Sequence, residues 1–264
     1  MSLRQTFIRN RSRIAFPVLA GAMGLSTLIA GLEHSSFLVQ ATGTQTALAP
    51  APTSEMDSAL VVATDSSVAV ADPRALNVDY GHRRIDEWVQ RLTTSLRGDF
   101  NTSLGRMDKY AAMINKKLDE KQMPRELIYL ALIESNFNPN ARSKVGAVGM
   151  WQFMSATAKQ FGLTVTRRND ERKNPAEATD AALTYLGQLH ERFGSWYLAA
   201  AAYNSGQGTV SKALKKVTGK TTGTDEDFFR ILPSLPRETQ DYVPKLIASA
   251  RVGSDLEKYG MAND

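Results

Sequence analysis

Leu127–Gln152, LIYLALIESNFNPNARSKVGAVGMWQ, is the stretch from which the fold can be read. Pro124 stands where helices accept proline, so the run Arg125 to Glu134 is predicted helical. Leu127, Ile128, Leu130, Ala131, Leu132 and Ile133 leave it almost no polar face, so this helix is expected to be buried on most sides. Glu134 ends the run, one turn after Leu130 and Ala131. Apolar surroundings disfavour a charged carboxylate, and so does the negative end of a helix dipole. Both raise its pKa, which is what a general acid working near neutral pH needs. On this helix alone, a solvated glutamate at a frayed end is an equal reading.

The next residues point to a site. Phe137-Asn138-Pro139 stops the helix and forces a turn. Gly146 and Gly149 are expected to let backbone approach a ligand closely. Trp151, Phe153 and Met154 offer an apolar wall, and Gln152 can both donate and accept hydrogen bonds. Rings and amides together suit a sugar, whose pyranose faces are apolar. A packed helix hairpin with a glycine contact accounts for the glycines equally well.

Outward from this stretch the pattern stays helical. Ile85, Trp88, Val89, Leu92 and Leu96 follow one stripe, and Leu104, Met107, Ala111, Ile114 and Leu118 a second. Ala178, Ala181, Ala182, Tyr185, Leu186 and Leu189 mark another helix, with Gly194 as its stop. Trp196–Tyr203, Val210–Val217 and Thr239–Ala250 are shorter candidates, the last opened or kinked by Pro244. Arg167–Lys173 is dense in charge and reads as a solvated loop. No segment alternates in the manner of a strand, so the fold class is mainly α.

Composition excludes several classes. The 264 residues are 42% hydrophobic and 22% charged, which is globular rather than fibrous or wholly disordered. With no cysteine, disulfides, thiolate metal sites, a cysteine nucleophile and a lipidated cysteine are all excluded. The net charge of +5 divides into three blocks. Residues 1–30 carry Arg4, Arg9, Arg11 and Arg13 and no acid. Residues 31–78 are net acidic, and the remainder is net basic. Four arginines ahead of the apolar run Ile14 to Leu32 make residues 1–34 a signal peptide or an N-terminal membrane anchor. Residues 35–78, rich in Ala, Thr, Ser, Val and Pro, read as a flexible linker. Residues 79–264 form the functional domain, with its motifs between 120 and 250.

Four ordered motifs carry a family resemblance. They are Glu134-Ser135-Asn136-Phe137-Asn138-Pro139, Gly146-Ala147-Val148-Gly149-Met150-Trp151-Gln152-Phe153, Ala202-Tyr203-Asn204-Ser205-Gly206, and Arg237-Glu238-Thr239 with Tyr242-Val243-Pro244-Lys245. Together they resemble the soluble-lytic-transglycosylase (SLT) domain, the catalytic module of lytic murein transglycosylases. The resemblance implies a lysozyme-like helical domain of the goose-lysozyme type. A membrane-bound branch of that family has a lipidated cysteine and LysM modules, and this chain is expected to lack both.

The resemblance also implies a chemistry. Glycosidases commonly use two carboxylates, and the acids after Glu134 are Asp170, Glu171, Glu177, Asp180, Glu191, Glu238 and Asp241; spacing does not tell which faces it. The family acts instead with one glutamate. Glu134 would be the sole acid and base in cleaving the β-1,4 bond between N-acetylmuramic acid and N-acetylglucosamine, leaving 1,6-anhydromuramyl ends. By motif position, Ser143, Gln152, Met154, Tyr203 and Asn204 would bind substrate, and Tyr242 would orient Glu134. Read from the residues alone, Ser143 is equally a loop cap, and Tyr203 and Tyr242 equally core. The partner implied is the peptidoglycan glycan strand, met in the periplasm after export, with residues 14–32 associated with the inner membrane. No nucleic acid, cofactor or metal is implied, and His34, His82 and His190 are given no metal role. The competing functions are a hydrolytic goose-type muramidase and a non-catalytic murein-binding module.

Overall fold

The computed structural model describes residues 75–261. The segment read as a signal peptide or anchor, and nearly all of the stretch read as a linker, lie outside the described residues. Packing begins a little before Asp79: Leu76 is buried and Val78 rests on the core. The Arg251 side chain donates to the carbonyls of Val78 (2.6 Å) and Tyr80 (2.8 Å), tying this lead-in down.

The described residues fold into α1 (Arg83–Thr93), α2 (Arg97–Glu120), α3 (Ile128–Ser135), α4 (Ser155–Gln160), α5 (Pro175–Phe193), α6 (Trp196–Ser205), α7 (Gln207–Thr218), α8 (Asp225–Ile231) and α9 (Arg237–Ser254). Among them pairing of extended backbone is limited to isolated bridges such as Arg142 with Val148 and Val148 with Phe153. The mainly α expectation holds.

Each helix has a local cause. In α1, Ile85, Trp88 and Leu92 are buried at the spacing of one amphipathic face. In α5, Asn174 caps the start by accepting from the Ala176 amide, and Pro175 takes the first turn. Gly194 ends it at φ +77. In α6, Trp196 to Ala202 are all buried, and the helix is apolar all round, as a central helix must be. It packs against α5, α7, α8 and α9. Helix α3 is likewise buried from Ile128 to Glu134 and lies against α2 and α9.

One reading is corrected and one helix was missed. Pro244 does not open the last helix, which starts at Arg237 and runs through the proline. Packing of its buried face outweighs the one backbone bond that proline cannot donate. Helix α8 was not foreseen. Its signal was present in Thr224 and Asp227, which form a reciprocal capping box.

Candidate active site

The buried helix delivers Glu134 to the interior at its last turn. The chain then leaves sharply, because Asn136 (φ +53) and Phe137 (φ +56) both take left-handed backbone. Phe137 is only 1% exposed, so its burial holds a conformation that an aromatic residue rarely adopts. Glu134 is 8% exposed, and its Oε1 accepts a hydrogen bond from the Tyr242 hydroxyl at 2.7 Å. Burial pushes the carboxyl up to about 7; the Tyr242 bond and the Lys245 cation oppose this, while the Glu238 charge adds to it.

Helix α9 supplies most of that environment. Glu238, Tyr242 and Lys245 are separated by four and three residues, so they share one face. The Asn204 amide, from α6, donates to Glu238 Oε1 at 3.1 Å and accepts from the Thr239 hydroxyl at 2.8 Å. The Lys245 ammonium lies 5.6 Å from the centroid of the Trp88 ring, over which the Arg91 guanidinium also sits at 4.0 Å. Burial pushes Lys245 down to about 8, with the Glu134 charge resisting.

The loop from Ser143 to Met154 forms the other side. Ser143 pairs with Ala147 in both directions: its amide donates to the Ala147 carbonyl, and its hydroxyl accepts from the Ala147 amide, each at 2.9 Å. Gln152 takes a φ of +48, and its side-chain amide donates to the Gly149 carbonyl at 2.7 Å. Met154 is half-buried. The Tyr203 hydroxyl, from α6, donates to the Trp151 carbonyl at 2.8 Å.

Three readings of this loop change. The backbone that approaches Gly149 is the chain's own: a Cβ there would fall 1.8 Å from the Arg172 carbonyl oxygen. Trp151 and Phe153 are core rather than wall, fully or nearly fully buried, and the Trp151 indole N–H donates to the Thr179 hydroxyl at 2.9 Å. Nor is Arg167–Lys173 simply a solvated loop. The buried Arg172 guanidinium pairs with Asp170 at 2.8 Å and donates to the carbonyls of Gly146 (3.2 Å) and Phe153 (3.1 Å). It clamps the loop from behind. A contact 26 residues away leaves no periodic trace, so sequence reasoning missed it.

The candidate second carboxylates are sorted by their partners. Asp170, Asp180 and Asp241 pair with Arg172, Lys117 and Arg84. Glu171 accepts from the Thr164 amide, and Glu177 and Glu191 are exposed. Of the group, Glu238 acts on the charge of Glu134. Together with Lys245 it was readable in principle from its helical spacing to Tyr242. His82 stacks on Phe229 and His190 on Trp196. Beside the turn after Glu134 lies a cleft of about 320 Å³, lined by Arg106, Lys109, Tyr110, Phe137, Asn138 and Pro139.

Residues 111–225 match the family model described as the transglycosylase SLT domain. That stretch holds Glu134, Ser143, Gln152, Met154, Tyr203 and Asn204; Trp88, Glu238, Tyr242 and Lys245 lie outside it. Membrane-bound lytic murein transglycosylase D of Escherichia coli (strain K12) is 39% identical over 157 residues, 59% of this chain and 34% of that protein. Peptidoglycan transglycosylase gp16 of Escherichia phage T7 is 35% identical over 156 residues, 57% of this chain and 11% of that protein. The chain therefore aligns with about a third or less of the length of these two relatives. The 70-kDa soluble lytic transglycosylase, solved in complex with bulgecin A, superposes with a TM-score of 0.50 at 23% identity, over 68% of this chain and 29% of that one. That likeness shows the fold, a mainly α lysozyme-like domain.

Proposed function

We propose that this chain, which carries an SLT domain, is a lytic transglycosylase of peptidoglycan. It cleaves the β-1,4 bond between N-acetylmuramic acid and N-acetylglucosamine and leaves 1,6-anhydromuramyl ends. The observation that carries this reading is Glu134: a carboxyl buried at the end of an apolar helix, held near pKa 7 and oriented by Tyr242. The similarity to murein and peptidoglycan transglycosylases supports it.

Glu134, protonated, gives its proton to the glycosidic oxygen as the C1–O bond breaks. The substrate's N-acetyl oxygen bonds to C1 and holds the developing positive charge. The C6 hydroxyl then attacks C1, displacing that oxygen, and its proton goes to Glu134. The proton lost in the first half is regained in the second, and no water is consumed. The Tyr242 hydroxyl supports the intervening carboxylate through a charge-assisted bond.

Ser143, Met154 and Asn204, each half-buried, take the sugar contacts. Gln152 and Tyr203 keep the loop in shape through their bonds to its carbonyls. The basic cleft beside the turn suits an anionic polymer, whose lactyl and peptide carboxylates it would draw in over a Debye length of about 8–10 Å. Residues 1–34 export the domain to the periplasm, either as a cleaved signal peptide or as an anchor that keeps residues 14–32 at the inner membrane.

Digestion of purified sacculi tests the reading. Anhydro ends, about 18 Da lighter than the reducing ends of hydrolysis by the mass of one water, are expected from the wild type and not from Glu134→Gln. Reducing ends would make it a muramidase, and binding without turnover a murein-binding module.

A further inference from the structure

Lys245 is a half-buried cation with no part in the steps above. It follows Tyr242 by three residues on α9, so it shares the helix face from which the Tyr242 hydroxyl reaches Glu134, and α9 packs against the helix that carries Glu134. Its cover comes from another helix: Trp88 of α1, itself 8% exposed, receives the ammonium at 5.6 Å and the Arg91 guanidinium at 4.0 Å. Helices α1 and α9 pack directly against each other. The groups that act on Glu134 are therefore Glu238, Tyr242 and Lys245 from α9 and Tyr203 from α6, with Arg91 of α1 acting on Lys245.

We infer that Lys245, covered by Trp88, is a positioning residue whose cation stabilises the Glu134 carboxylate in the half-cycle after it has given up its proton. The inference rests on the reading of Glu134 as acid and base. Burial alone makes Glu134 a reluctant proton donor, because the anion it must become is poorly solvated. A cation fixed nearby in a low-dielectric setting favours that anion without reorganising at the moment of transfer. Glu238 has the opposite sign and keeps the proton on between turnovers. Lys245 stays above neutrality, at about 8, so the cation is present at pH 7. Helix α1 is then part of the active site although it lies outside the matched stretch 111–225.

The test compares Lys245→Met and Lys245→Arg in the full chain, acting on soluble glycan strands across pH 5–9. For Lys245→Met the alkaline limb of kcat/KM, where Glu134 loses its proton, is expected to rise by about one pH unit, with kcat down about tenfold and KM little changed. Lys245→Arg should keep the wild-type limb. An unmoved limb in Lys245→Met, or equal damage in both variants, overturns the inference. Should Lys245→Met fail to fold, Lys245→Cys gives a unique thiol, because the chain has no cysteine. Aminoethylation restores a cation there, and carbamidomethylation restores neutral bulk. Recovery of the limb by the first alone supports the inference; equal recovery by both, or by neither, overturns it. Products are read in parallel. Reducing ends from the wild type would sink the transglycosylase reading and leave the Lys245 result standing, since hydrolysis also needs the Glu134 proton.

Discussion

Replacing Glu134 with Gln should stabilise the protein, and by more as pH rises from about 4.5 to about 7. The carboxyl rests at 4.5 ordinarily and at about 7 in the folded chain, mainly through burial. Since the folded value is the higher one, the unfolded chain gives up this proton first as pH rises. The penalty is absent below about pH 4.5, grows from there, and is complete once pH has passed through about 7. At about 1.4 kcal/mol per tenfold change, ionised Glu134 costs the native state about 3 kcal/mol at pH 8, against about 1 kcal/mol at pH 5. Gln keeps the shape and can still accept from Tyr242, but never ionises. Glu134→Gln should therefore gain about 1 kcal/mol at pH 5 and about 3 kcal/mol at pH 8, the latter roughly 6–12 °C in melting temperature for a domain of this size. Thermal unfolding of both proteins at the two pH values, followed by circular dichroism, measures the difference. An equal gain at both values would show that Glu134 does not titrate between them and would refute the burial argument.

Tyr242→Phe removes the donor to Glu134; kcat for strand cleavage should fall about 10–100-fold with KM little changed. Arg172→Ala leaves Asp170 without its buried partner and frees the carbonyls of Gly146 and Phe153; urea unfolding should show a loss of about 3–5 kcal/mol. Gly149→Ala drives a Cβ into the Arg172 carbonyl at a φ of +89, so about 2 kcal/mol or more of stability should be lost in the same assay.

Much of the architecture was legible because burial imposes period. The stripes of α1, α2 and α5 each repeat every three or four residues, and the unbroken apolar runs of α3 and α6 announced helices buried all round. Gly194 stopped α5 where a left-handed residue was needed. Pro244 does not start its helix, because local backbone preference is a small effect beside the packing of an eighteen-residue helix. The charged stretch 167–173 misled for the opposite reason. Composition suggests solvent, but a guanidinium with a carboxylate and two carbonyls to bond can be buried.

The sequence by itself determined that Glu134 would end an apolar helix, and left burial and solvation of its carboxyl as equal readings. Helix propensity and hydrophobic periodicity are local, and a single helix records both. Tertiary structure decided that the carboxyl is buried and which groups answer it: Tyr242, which motif position had already implied, and Glu238 and Lys245, which it had not, all from more than a hundred residues away, with Trp88 over the lysine. Electrostatic coupling depends on distance in space and on the exclusion of water. Neither is written in the order of residues until α1, α3 and α9 have packed.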